Sequence, residues 1–174
     1  MKKKLLWSLT TAIICGTMFV APLRAEDAEI EDWFFVWKIA EKNEASLKIQ
    51  KDSESTIVII KDGFLMSESV SLTAEQAIKI GEVLKKAGNY RKKWKDSKTD
   101  QSDKINAGDY NVFFLYSTKT WLRVTIKANK DFTTTSVQLT YKQAKAFCKK
   151  LVNIKKYIAI LDKKLKALEE DDDE

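Results

Sequence analysis

The chain has 174 residues, with 31 Lys and Arg against 25 Asp and Glu, no His, two Cys, and a net charge of +6. With no His, no glycine-rich phosphate loop and no nucleophile elbow, there is no catalytic residue to nominate and no set of metal or cofactor ligands. The composition points to a non-catalytic chain.

Lys2, Lys3 and Lys4 precede an apolar stretch from Leu5 to Val20, and Pro22 breaks that stretch before Leu23-Arg24-Ala25. This order predicts a cleavable secretory leader over residues 1–25 and an exported product, periplasmic or secreted. The apolar run is 16 residues long, short of the roughly 20 that cross a bilayer as a helix. No second such run follows, so no transmembrane span is expected after cleavage. The alternative is a leader retained as an N-terminal anchor.

Cleavage removes four basic residues and no acid, leaving 27 Lys and Arg against 25 acids, a net charge of +2. Six of those acids form the tail 169–174, so residues 26–168 carry +8. A basic body suits an anionic partner, with the tail either an internal competitor or a solvated end. Cys148 alone remains, and its place beside an apolar helix stripe suits an inert buried thiol.

The first predicted element is a strand at about 32–40, apolar on both faces and therefore interior. Strands near 45–50, 55–61 and 64–72 follow, then a helix at about 74–87 that Gly88 ends in the left-handed C′ conformation. Tyr90-Arg91-Lys92-Lys93-Trp94-Lys95 is a dense basic and aromatic cluster, and a charged linker runs from it to Asp109. Strands near 111–117, 121–128 and 132–139 and a helix over 141–168 complete the order.

These elements repeat. The segment 45–90 aligns with 112–157 without a gap, and nine of 46 positions are identical. The best part sets Ser69-Val70-Ser71-Leu72-Thr73-Ala74-Glu75-Gln76-Ala77 against Ser136-Val137-Gln138-Leu139-Thr140-Tyr141-Lys142-Gln143-Ala144. In each copy Thr stands at a helix N-cap and Gln three residues on closes a capping box. The same alignment pairs Ile57 with Val124 and Ile59 with Ile126 as strand positions of one phase.

The fold class expected is α+β: a duplicated strand-strand-strand-helix unit with an extra N-terminal strand, antiparallel sheets with helices packed on one face, and a long C-terminal helix. Residues 26–168 form a single domain, with repeats at about 32–90 and 110–168. Val70-Ser71-Leu72-Thr73-Ala74-Glu75-Gln76, entering a helix after curved strands, resembles the strand-to-helix junction of the single-stranded nucleic-acid-binding group that contains positive cofactor four, Whirly and Pur-alpha proteins. The resemblance implies four strands and a helix per repeat, and two paired repeats over roughly 32–168.

If helices cover one sheet face, Lys48, Gln50, Trp121, Arg123, Thr125 and Lys127 line the other. Trp and Arg interleaved on a strand stack on bases or sugars and contact anions. Arg91, Lys92, Lys93 and Trp94 are a second ligand-binding candidate, or else a solvated helix end. In the last helix Ala144, Phe147, Leu151, Ile154, Ile158, Leu161, Leu165 and Leu168 recur at spacings of three and four. A helix over 141–168 is about 42 Å long at about 1.5 Å per residue, longer than such a sheet covers. Ile158, Leu161, Leu165 and Leu168 are therefore expected to meet a partner helix or a second copy, packing on the chain's own sheet being the alternative.

Two functions follow. The first is an exported, non-catalytic interaction or scaffold module that binds a protein partner or itself through its sheet face and distal helix. The alternative is a Whirly-like binder of a polyanion, nucleic acid or an anionic envelope polymer.

Overall fold

The computed structural model describes residues 28–31, 34–52, 54–63, 68–129 and 135–171, with side chains between 35 and 167 of these. The expected leader, residues 1–25, lies outside them. Strands β1 (Ala28–Glu31), β2 (Phe34–Lys42), β3 (Ala45–Lys51), β4 (Thr56–Lys61) and β5 (Ser69–Leu72) form one antiparallel sheet in sequence order. Strands β6 (Gln101–Asn106), β7 (Tyr110–Ser117), β8 (Trp121–Ala128) and β9 (Ser136–Thr140) form a second. Helices α1 (Ala74–Leu84) and α2 (Ala87–Trp94) follow the first sheet, and α3 (Tyr141–Val152) and α4 (Ile154–Asp171) the second. The fold is α+β, built from two roughly duplicated strand-and-helix units.

Alternate strand residues point inward, the period of two that a pleated strand imposes. Leu47 and Ile49, Val58 and Ile60, and Val70 and Leu72 are buried in the first copy. Val112 and Phe114, Val124 and Ile126, and Val137 and Leu139 are buried in the second, in one continuous core with the first.

The registers correct the gapless alignment. Leu47 lies opposite Ile60 and Ile60 opposite Val70, while Val112 lies opposite Ile126 and Ile126 opposite Val137. Leu47 thus corresponds to Val112, Ile60 to Ile126 and Val70 to Val137, one extra residue entering at each connection of the second copy. A slip of one residue turns a strand over. Val58 and Ile60 therefore match Val124 and Ile126, and Ile57 and Ile59 sit half-buried on the opposite face.

Further differences concern the elements themselves. The segment read as a linker contains β6, paired along its length with β7. It is an edge strand whose Ser102, Asp103 and Lys104 are exposed, and such strands carry polar and charged residues that discourage further pairing. β1 adds an outer strand to the first sheet, so among the described residues the second copy has four strands and the first five.

Both helices bend. Lys86 N–H donates to Val83 O at 3.0 Å, and Asn153 N–H donates to Lys150 O at 3.1 Å. These tighter bonds interrupt the helices at matching places, since Lys86 and Asn153 face each other in the repeat alignment. Gly88 accordingly lies inside α2 and does not end a helix. At the other break the Asn153 side-chain amide also donates to Lys149 O, at 2.8 Å.

The bend carries the second helix of each pair onto the strands of the other copy. The Tyr90 ring stacks on Phe114 with centroids 4.3 Å apart, and Tyr157 meets Trp37 edge-on at 6.0 Å. The first helices cross closely: a Cβ on Gly81 would stand 2.9 Å from Leu151 Cβ and from the Val152 nitrogen. The capping glutamines join the same exchange. Gln76 Nε2 donates to Asp109 Oδ2 at 2.7 Å, and Gln143 Nε2 donates to Lys42 O at 3.1 Å and to Asn43 O at 3.0 Å.

On the distal helix this packing favours cover by the chain's own sheet at Leu161. Leu161 is 6 % exposed within its own chain, and Ile158 and Leu165 are half-buried against the core. With α4 turned along the first sheet, the chain itself covers what a straight helix would have left bare. The side chain of Leu168 lies outside the described ones. Among the described residues no helix is long and apolar enough to cross a membrane.

Candidate functional site

A cavity of about 790 Å³ opens between α2, the β7–β8 hairpin and the start of α3. Gly88, Arg91, Lys92 and Lys95 line it from α2 and its C-terminal end, Tyr116, Thr120, Trp121 and Leu122 from the hairpin, and Thr140, Tyr141 and Lys142 from α3 and its cap. Two candidates far apart in sequence, the basic cluster and Trp121, thus share one space.

The hairpin explains how Trp121 is presented. Thr120 N–H donates to Ser117 O at 3.3 Å, closing a β-turn, and Trp121 pairs with Ser117 at φ +62°. A turn followed by one left-handed residue is a common three-residue hairpin, and that last position favours Gly. A residue bearing a Cβ loses about 1 kcal/mol there. Trp121 is nonetheless 63 % exposed, so burial of its ring offsets little of that cost. Among the described residues the large apolar side chains left exposed are Trp121 and Leu115.

The other walls are aromatic and cationic. The Arg91 guanidinium stands 4.5 Å over the Tyr141 ring, and the Tyr116 hydroxyl donates to Lys95 O at 3.2 Å. Arg91, Lys92, Lys95 and Lys142 bring four positive charges, and no described carboxylate lines the space. The nearest acid to Lys95 is its exposed neighbour Asp96, at 3.7 Å.

The remaining candidates are dispersed. Arg123 donates to Gln138 Oε1 at 3.0 Å and lines an adjoining cavity of about 350 Å³. Tyr116 and Thr120 are walls common to both cavities. Lys127 is exposed farther along β8, opposite Ser136 and Asn111. Lys48 and Gln50 lie half-buried in the first sheet opposite Ile59 and Ile57, away from the cavity. Lys93 lines a separate depression with Asp96 and Asp103.

Trp94 differs from the other candidates in being buried. It is 6 % exposed, its ring 4.8 Å from that of Tyr90, and it belongs to the core while lining the depression beside Lys93. Beside it Tyr90 donates its hydroxyl to Asp103 Oδ2. That bond, with burial of the ring, pushes the Tyr90 phenol up to about 12, and the same bond, with the Lys104 N–H, holds the Asp103 carboxyl below its usual range.

Lys95 closes the basic cluster visible in the sequence, whereas Lys142, Gly88, Tyr116 and Tyr141 do not stand out there as site residues. Lys142 does carry a signal, because it faces Glu75 in the repeat alignment, a reversal of charge at one position of the duplicated unit. No protein-family model matches the chain, and no curated protein matches it.

Proposed function

We propose that this chain is a non-catalytic module, exported after loss of residues 1–25, that binds an anionic polymer at the cavity between α2, the β7–β8 hairpin and α3. The ligand class is nucleic acid or an anionic envelope polymer. The observation that carries the reading is Trp121, exposed in a backbone conformation that favours Gly, beside four cations without a carboxylate among them. Such a ring takes the flat face of a base or sugar while the lysines and Arg91 hold the charges. The junction at Val70–Gln76, which resembles that of the Whirly group, implies the same ligand class.

The test is a titration of the purified protein with dextran sulfate, a sulfated polysaccharide, followed by tryptophan fluorescence. Trp121→Ala should lose most of the response and bind more weakly, at unchanged stability or above it. Equal affinity in the variant and the wild type would defeat the reading.

A second reading keeps the sheet face for a protein partner. It rests on Leu115, 37 % exposed on β7 directly opposite Arg123.

A further inference from the structure

The duplication supplies a built-in comparison for the cavity. The helices of the two copies correspond position by position in the gapless alignment, from the capping threonines past both bends. Gly88, Lys95 and Lys142 therefore correspond to Lys155, Asp162 and Glu75. In the strands Leu47 matches Val112, so four residues on, Lys51 matches Tyr116. The counterpart of the cavity is thus the place where α4 passes the β3–β4 hairpin and the start of α1.

There the chain is closed by two ion pairs. Lys51 Nζ lies 2.7 Å from Asp162 Oδ1, and Lys155 Nζ lies 2.9 Å from Glu75 Oε1. All four members differ at the cavity. Both carboxylates are replaced by lysines, Lys95 and Lys142. One lysine is replaced by Tyr116, whose hydroxyl goes to the Lys95 carbonyl. The other is replaced by Gly88, where an added Cβ would meet only the Tyr141 hydroxyl, at 3.9 Å. The same framework holds an ion-pair lock on one side and, on the other, an open space whose charged walls are all cations.

We infer that the cavity binds a ligand presenting two adjacent anionic groups, one paired with Lys142 in the room left by Gly88 and the other with Lys95 beside Tyr116. These groups supply the negative charge that Glu75 and Asp162 supply on the closed side. Two adjacent anions are the shared chemistry of a free diphosphate and of consecutive acidic units along a polymer. The inference rests on the reading of the cavity as an anion site and specifies which of its cations do the pairing.

The decisive variant rebuilds the lock: Gly88→Lys with Lys142→Glu. The added side chain at 88 has open space, and Gly in a helix is a poor helix former, so the variant should fold and melt at or above the wild-type temperature. Calorimetric titrations at fixed ionic strength use pyrophosphate, long-chain polyphosphate and acetate. The wild type should prefer pyrophosphate or polyphosphate to acetate, and the variant should bind the preferred one about tenfold more weakly or worse. Preference for pyrophosphate identifies a free dianion, and binding of polyphosphate alone identifies a chain. If neither is preferred to acetate, or the folded variant binds as the wild type does, the inference is overturned. Should the first variant misfold, Lys95→Ser with Lys142→Ser removes both cations of the proposed pairing without adding charge, and the same outcomes decide. Loss of dextran sulfate binding in Trp121→Ala, with none in either lysine variant, overturns this inference and leaves the anion-binding reading standing.

Discussion

Trp94 and Leu161 occupy the same position of the duplicated unit, and each is 6 % exposed beneath its own copy's second helix. One is an aromatic of the basic cluster and the other a member of the distal heptad. Both are structural for the same reason, because a helix bent after three turns lays that position against strands of the other copy.

Leu161→Ala should therefore destabilise the protein by about 2–5 kcal/mol and Trp94→Ala by about 3–5 kcal/mol, the range for large side chains removed from cores. Chemical denaturation measures both. A Leu161 variant that unfolds at the wild-type midpoint would show that the chain does not bury this residue.

The caps offer a comparison within one molecule. Thr73→Ala and Thr140→Ala should each cost about 1 kcal/mol through the lost acceptor for the Gln76 and Gln143 amides. Gln143→Ala should cost more than Gln76→Ala. Gln143 is 4 % exposed and holds two carbonyls of the β2–β3 turn, whereas Gln76 reaches an exposed carboxylate. The order of the two glutamine variants in thermal melts checks this.

How far these features are legible in the sequence depends on how local they are. Thr73 and Thr140, with a Gln three residues on, announce helix starts without reference to anything distant. The face of β4 is not legible, because one added residue per connection is invisible to a gapless alignment yet turns Ile57 and Ile59 outward. β6 hides because an edge strand half-buried only at Gln101 and Ile105 has a linker's composition. The bends at Lys85-Lys86 and Asn153 contain neither Gly nor Pro, so the sequence reads as a straight helix, and a seam beyond the sheet follows from that. Arg91, Lys92 and Trp121 are each visible as candidates. Their meeting in one cavity depends on a helix of the first copy lying on a hairpin of the second.

The Tyr90–Asp103 bond predicts a pH dependence. The folded pKa of Tyr90 is raised from 10.0 to about 12, so its contribution is fully present below pH 10 and is lost as pH rises toward 12. Asp103 is shifted the other way, so its share is present above 3.8 and is lost as pH falls. Tyr90→Phe should flatten the alkaline limb of the stability profile. An ultraviolet titration in which no tyrosine ionises above the ordinary range would contradict the bond.

Gly81→Val should be among the most damaging small-residue changes. The added carbons meet Leu151 Cβ and the Val152 nitrogen and Cγ2 at the crossing of α1 and α3. A loss of about 1–3 kcal/mol is expected, read from the denaturation midpoint. Gly88→Ala, in open space, should instead be neutral or stabilising.

Anion binding at the cavity is tested most directly by the salt dependence of polyanion affinity in the wild type and in an Arg91→Glu, Lys92→Glu, Lys142→Glu variant. Each phosphate or sulfate held by a cation of the cavity releases a counterion, so log K for the wild type should fall steeply and linearly with log salt concentration. The variant should bind weakly and with a shallower slope, while melting as a folded protein. Equal slopes for the two proteins, or wild-type affinity that does not respond to salt, would contradict the claim that this cavity is the anion site.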